Sequence, residues 1–237
     1  MSETGQKVAI VTGGSQGIGA GVVAAYRELD WAVVANALHI EPSKDQDVLT
    51  VAGDVSEQAT AEQIMSKALD RFGRVDSLVN NAGIFMAKPF TDYTAEDYAL
   101  VTGVNLAGFF WLTQRAIGQM LKQGGGHVVN ISASVADRAD LAEPTAMAAL
   151  TKGGLAAVAK SLAVEYASRG IRVNAVAPGI IQTSQHPPEA YTPEALTGKL
   201  PPLGRAGQVS DVVDAIMYLE SAPYVTGEVL HVDGGRL

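Results

Sequence analysis

One stretch near the start, Val8-Ala9-Ile10-Val11-Thr12-Gly13-Gly14-Ser15-Gln16-Gly17-Ile18-Gly19, restricts the possible folds more than any other. Val8 to Val11 is a run of β-branched and apolar residues, the pattern of a buried strand. Glycines follow at 13, 17 and 19, and Ala20 to Leu29 then carries apolar residues at helical spacing. Strand, glycine turn and helix bring free backbone N–H groups and the positive end of a helix to one point, which suits a pyrophosphate. A Cβ in that turn would hold phosphates away from the backbone. The spacing is not G-x-G-x-x-G, so a tight βα turn without a ligand satisfies it equally.

The rest of the chain repeats the alternation. Strands are expected over Trp31–Ala37, Val48–Val55, Asp76–Asn80, His127–Ser132, Ile171–Ala177 and Gly227–Val232, which with the first makes seven. Helices are expected from Ser56, as N-cap, to Phe72, from Asp97 to Lys122, from Thr145 to Ala167 and over Val209–Glu220. Short connections between alternating elements imply right-handed crossovers, and so a doubly wound parallel α/β sheet with helices on both faces. Ligands in such sheets bind beyond the carboxyl ends of the strands. The glycine loop, Asp54, Asn80-Asn81-Ala82-Gly83 and the later strand ends are therefore expected along one edge. The segment Thr183–Leu203, with His186-Pro187-Pro188, reads as a loose flap over that edge. His127 reads as a surface residue, and Phe109-Phe110-Trp111 as core or interface.

Bulk properties exclude several classes. The 237 residues suit one domain, 1–237, with no repeat or linker. A net charge of −8 and the absence of a Lys/Arg run argue against nucleic acid. With no cysteine there is no disulfide, thiolate metal site or cysteine nucleophile. No metal site is expected. Met1–Lys7 is polar and no signal peptide, and no apolar run reads as a membrane span, so the expectation is a cytoplasmic protein without membrane contact.

In order and spacing, Thr12-Gly13-x3-Gly17-x-Gly19, Asp54, Asn80-Asn81-Ala82-Gly83, Asn105, a strand followed by serine, Lys152, Pro178-Gly179 and Val232-Asp233-Gly234-Gly235 resemble the short-chain dehydrogenase/reductases of the single-domain type. The resemblance spans nearly the whole chain. It implies a Rossmann-like fold and an NAD- or NADP-dependent enzyme moving hydride between nicotinamide and a carbonyl or alcohol of a small molecule. It also implies a homotetramer, or a dimer, built on the long helices and last strand. By the same resemblance Gly13, Ser15, Gln16, Gly17, Ile18 and Gly19 carry the pyrophosphate. Asp54 and Val55 hold the adenine, Asn81, Ala82 and Gly83 lie along the adenosine ribose, and Lys152 holds the nicotinamide ribose. The segment Pro178, Gly179, Ile181 and Thr183 holds the carboxamide, and Asn105 holds a water of the proton relay. Gln16 offers no charge to a 2′-phosphate and Ala37 no acid to repel one, so the choice between NAD and NADP stays open.

The match breaks at the proton donor. The family keeps a tyrosine four residues before the lysine, and Ala148 stands there. The enoyl reductase branch keeps its tyrosine seven residues before, and that position is Thr145. No tyrosine lies between Tyr98 and Tyr166. A phenol beside an ammonium titrates near working pH, and an alanine can neither give nor take its proton. Four explanations stand. A reductase can draw its proton from Tyr93, Tyr98, Tyr191, His186 or water held by Asn105 and Lys152. A substrate such as an imine or activated alkene can need a weaker acid. The chain can bind a dinucleotide as a sensor or partner subunit. Or a tyrosine has been replaced by alanine in the laboratory. The substrate-binding serine is read as Ser134, with one inserted residue, and Ser132 as a strand residue.

Overall fold

The computed structural model describes residues 5–138, 144–184, 187–192, 194–198 and 200–236. In chain order, β1 (Val8–Thr12) leads through the glycine turn to α1 (Gly17–Glu28), then β2 (Ala32–Ala37), β3 (Val48–Ala52), α2 (Gln58–Phe72) and β4 (Ser77–Asn80). The second half holds α3 (Ala95–Thr102), α4 (Gly108–Gln123), β5 (Gly126–Ile131), α5 (Ala146–Tyr166), β6 (Ile171–Pro178), β7 (Ile181–Gln182), β8 (Gly207–Gln208), α6 (Val209–Ser221) and β9 (Val229–Val232). Seven strands form one sheet in the order β3-β2-β1-β4-β5-β6-β9, and every pairing is parallel. The expected Rossmann-like doubly wound architecture is the one found. The order reverses between β1 and β4, where such sheets open a crevice at their carboxyl ends.

Alternation within each strand divides the core. Val8 and Ile10 face one side with Val34, Leu78, Val128 and Val173, under α2, α4 and α5. Ala9 and Val11 face the other with Val33, Val79, Val129 and Val176, under α1 and α6. Strands buried on both faces read as continuous apolar runs, which is why they are visible in sequence.

The structure departs from expectation in several places. Ser56 is not the cap of α2; Glu57 takes that position without a side-chain bond, because the Ser56 N–H is drawn back onto the Asp54 carboxylate at 2.9 Å. The helix expected from Asp97 to Lys122 starts at Ala95, where Thr94 and Asp97 form a capping box. It is then interrupted by a π-helical turn, Gly103–Ala107, that separates α3 from α4. The flap is not wholly loose: Pro188–Tyr191 is a 3-10 turn, Leu196 is buried, and β7 pairs with β8 across its base. His186 lies outside the described residues. The stretch Ala146–Arg169 is, against expectation, long and apolar enough to cross a membrane by length and composition. In the fold it gives Met147, Ala148, Leu155, Ala156, Ala159 and Ala163 to the interior.

His127 is the clearest correction. It is buried in β5, and a network closes around it at the amino ends of the strands. Its Nδ1 lies 3.0 Å from Glu220 Oε2, which also accepts from Tyr26 Oη at 2.8 Å and Ser77 Oγ at 2.9 Å. Its Nε2 faces the Asn174 amide at 3.0 Å and the Arg172 guanidinium at 3.4 Å. Two donors on Nε2 and an acceptor at Nδ1 assign the neutral imidazole with its proton on Nδ1.

Candidate active site

The glycine turn is held by β4. Thr12 Oγ1 accepts from the N–H groups of Asn81 and Ala82, each at 3.0 Å. The Asn81 amide donates to the carbonyls of Thr12 at 2.9 Å and Gly13 at 3.3 Å. Asn81 therefore serves as an internal brace of the turn. Gly19 must lack a side chain here, since a Cβ would stand 2.1 Å from the Gly13 carbonyl oxygen and 2.6 Å from Asn81 Nδ2. Ser15 and Gln16 are exposed, Gly17 and Ile18 half-buried, and Thr183 packs 3.5 Å from where a Gly17 Cβ would be.

This cradle fits a dinucleotide phosphate. Gln16, the cap residue of α1, makes no side-chain bond to the helix, and the first turn carries no acid. The first N–H groups of the helix thus face the turn without an intrahelical partner. Asp54 and Val55 follow β3, with Val55 packed against the start of α4. At the end of β6, Pro178 closes the strand and Gly179 N–H donates to the Val232 carbonyl at 3.0 Å. Ile181 lies in β7.

A second group converges beside the cradle. A Cβ on Gly83 would meet Lys152 Nζ at 2.7 Å and Asn105 Oδ1 at 3.3 Å, so these three residues are in contact. Asn105 sits in the π turn and is buried, not at the helix surface. Its Oδ1 accepts from Ile84 N–H at 2.8 Å, and its Nδ2 donates to the Ile84 carbonyl at 3.0 Å and Thr151 Oγ1 at 3.1 Å. One amide thereby ties the segment after β4 to α5.

Lys152 is buried, and its Nζ donates to the Ile131 carbonyl at 2.8 Å. Burial lowers its pKa from 10.5 to about 8. Ala148, one helical turn earlier, is buried as well. Thr145 precedes α5 and its carbonyl accepts from Ala149 N–H. Ser132 donates to the Lys152 carbonyl at 2.8 Å and so fastens β5 to α5. Ser134 is buried in the 3-10 turn Ser134–Ala136, and no hydrogen bond of its hydroxyl is seen among the described residues.

Of the phenols considered as replacement donors, one bonds to the segment expected at the carboxamide. Tyr93 Oη donates to the Met86 carbonyl at 2.7 Å, Tyr98 is exposed on α3, and Tyr191 Oη accepts from Thr183 N–H at 3.3 Å. Sequence reasoning missed the supports: Thr12, Thr151 and the pair Asn80–Asn130, whose amides bond at 3.0 Å across adjacent strands. Thr12 and Asn80 stand in the motifs of the resemblance but were given no role there, while Thr151 within α5 and Asn130 within β5 carry no local signal.

Comparison with known proteins agrees with this arrangement. The family model described as enoyl-(acyl carrier protein) reductase matches residues 13–236. Carbonyl reductase family member 4 of Xenopus tropicalis is 36% identical, covering 97% of each chain. The 3-oxoacyl-[acyl-carrier-protein] reductase FabG of Thermotoga maritima is 34% identical, again over 97% of each. Among solved structures, ElxO with NADP bound superposes with a TM-score of 0.90 at 29% identity, covering 98% of each chain. The Brucella melitensis 3-ketoacyl-(acyl-carrier-protein) reductase complexed with NADH gives 0.85 at 30% identity, covering 97% of this chain and 98% of that one. Sheet order, glycine turn and near full-length matches lead to one conclusion: the chain belongs to the short-chain dehydrogenase/reductase family.

Proposed function

We propose that the chain is an NAD(P)-dependent reductase of small carbonyl compounds that works without a tyrosine. The observation that carries this reading is the meeting of Lys152 and Asn105 at Gly83, beside the glycine cradle. A module that only bound dinucleotide would have no need of the buried amide of Asn105 behind its lysine. The similar chains solved with NADP and NADH support either cofactor.

The bound nicotinamide would supply the hydride. The residues of this chain do the rest. Gly13, Ser15, Gln16, Gly17, Ile18 and Gly19 would receive the pyrophosphate. Asp54 and Val55 would hold the adenine, with Ala82 and Gly83 along its ribose. Pro178, Gly179, Ile181 and Thr183 would flank the carboxamide. Ser134 donates its hydroxyl to the substrate oxygen and fixes its position. Lys152, an ammonium below about pH 8, supplies the proton through water standing where a phenol would reach. Asn105 positions the lysine helix through Thr151. Carbonyl reduction therefore weakens above about pH 8, as the ammonium is lost.

The test is to follow absorbance of NADH and NADPH with ketones, diketones and imines. Oxidation that disappears in Lys152→Ala supports the reading, and oxidation that persists in that variant removes the assigned donor. A second reading, dinucleotide binding without turnover, is favoured by Ala148 alone. Tight binding with no oxidation across the panel would establish it. For assembly we propose a homotetramer or dimer through α4 and α5, where Phe109, Phe110, Trp111, Gly154, Leu155 and Val158 line an apolar groove of about 390 Å³. Light scattering that returns the 24.7 kDa monomer would refute it.

A further inference from the structure

We propose that Lys152, with Ala148 behind it, is also an amine nucleophile that forms an imine with small ketones and 1,3-dicarbonyl compounds when no dinucleotide is bound. This does not rest on hydride transfer, only on the same lysine.

Three features of the site support it. First, among the described residues the Nζ has no counter-charge. Its hydrogen-bond partner is the neutral Ile131 carbonyl, and among the described residues no carboxylate or phenol bonds to it. A free amine keeps that bond with one hydrogen and still holds its lone pair available. Second, the side chain one turn before it is a methyl group. A phenol at Ala148 would bond to the nitrogen and hold its proton; a methyl group does neither. Third, the lysine lies just behind an open surface. Gly83 is exposed, and a Cβ on it would be 2.7 Å from Nζ, so the amine lies directly beneath a surface residue that has no side chain to cover it. Burial that lowers the lysine to about 8 leaves a substantial fraction uncharged in mild alkali, the condition that activates lysines for carbonyl chemistry.

The step balances without an oxidant or reductant. The amine adds to the carbonyl carbon, both amine hydrogens and the carbonyl oxygen leave as water, and a carbon–nitrogen double bond remains. With a 1,3-diketone the proton between the carbonyls then moves to nitrogen, giving a conjugated enaminone with its own ultraviolet absorbance. The Asn105 amide, fixed by Ile84 and Thr151, keeps the lysine in place during the addition.

The experiment uses the full chain, free of dinucleotide, with 2,4-pentanedione. Enaminone absorbance is followed from pH 6 to 10 and the adduct is placed by peptide mass spectrometry of the wild-type protein. One adduct per chain at Lys152, with a rate that climbs through about pH 8, is expected. Lys152→Arg should abolish it, and Ala148→Tyr should slow it about tenfold or more. Modification confined to exposed lysines overturns the proposal, as does an unchanged rate in Ala148→Tyr. Parallel NADH oxidation separates the two readings: an adduct without oxidation sustains this inference and removes the reductase, and oxidation without an adduct does the reverse.

Discussion

The two ends of the central sheet each bury an ionisable centre, and they are built in opposite ways. At the amino end, Glu220 receives Tyr26, Ser77 and His127, while His127 receives Asn174 and Arg172. Arg172 also bonds the carbonyls of Leu219, Glu220 and Val225, closing the end of α6. Burial holds the His127 pKa down, and it stays neutral. Burial pushes Glu220 up, but the bonds from His127, Tyr26 and Ser77 outweigh it, leaving its carboxyl below the usual range. At the carboxyl end, Lys152 has one carbonyl and an alanine neighbour. A centre whose every lone pair and proton is matched holds a fold together. One left, among the described residues, with a charge and only a neutral carbonyl beside it is poised for a ligand or a reaction.

The contrast can be broken by exchanging what each end is sensitive to. Lys152→Ala should lower turnover by ~10²–10⁴-fold, read from nicotinamide absorbance, with the melting point held or raised. His127→Ala should do the opposite: activity kept at low temperature and stability lost. The amino end is struck hardest by Glu220→Ala, which takes the acceptor from Tyr26, Ser77 and His127 and the carboxylate from the field of Arg172, and should cost about 3–5 kcal/mol in urea unfolding. In the wild type this network also responds to acid. His127 and Glu220 are both lower in the folded state than in the unfolded one, so the unfolded chain binds more protons. Stability is full above the ordinary histidine value of ~6.5 and falls as pH drops below it and then through the carboxylate range. A flat melting temperature between pH 7 and 4 would show the network to be inert.

Lys152 gives a slope of the same sign at the other end of the scale. Its folded value of about 8 lies below its unfolded 10.5, so between those values only the unfolded chain keeps the proton. Stability therefore rises from pH 8 to 10.5, by about 3 kcal/mol if no other group intervenes. Lys152→Met should remove that slope. The smallest effect sharpens the comparison: Ala148→Tyr should raise reductase turnover by ~10²-fold, because it supplies the missing acid. A variant that folds and binds dinucleotide but gains nothing would show that the absent phenol is not what limits the site.

These differences also mark what could be read from residues alone. The cradle was legible because its geometry demands residue types: at Gly19 a single methyl group would collide with a carbonyl, so the glycine declares the contact. The strands were legible because both faces of a parallel sheet are buried, which writes long apolar runs. Lys152 and Ala148 were legible as a pair through the family resemblance, which fixes a spacing of four, and a helix places residues four apart on one face. His127 was not, since its burial depends on Glu220, 93 residues away, and nothing local distinguishes it from a solvated histidine. Ser56 misled because it lies inside a turn closed on Asp54, which moves the cap one residue on to Glu57. The β7–β8 pair, two residues each, is too short to leave a pattern.

The π-helical turn at Gly103–Ala107 makes the active site sensitive to chain length rather than to residue identity. A π turn accommodates one residue more than a regular helix. Excising one of those five residues would let α3 and α4 run on as regular helix, and the bulge that aims the Asn105 amide inward would be lost. The protein would still fold, and Asn105, or whatever replaced it, would face away from Ile84 and Thr151. Insertions and deletions here, more than point substitutions, are what descendants of this chain can least tolerate.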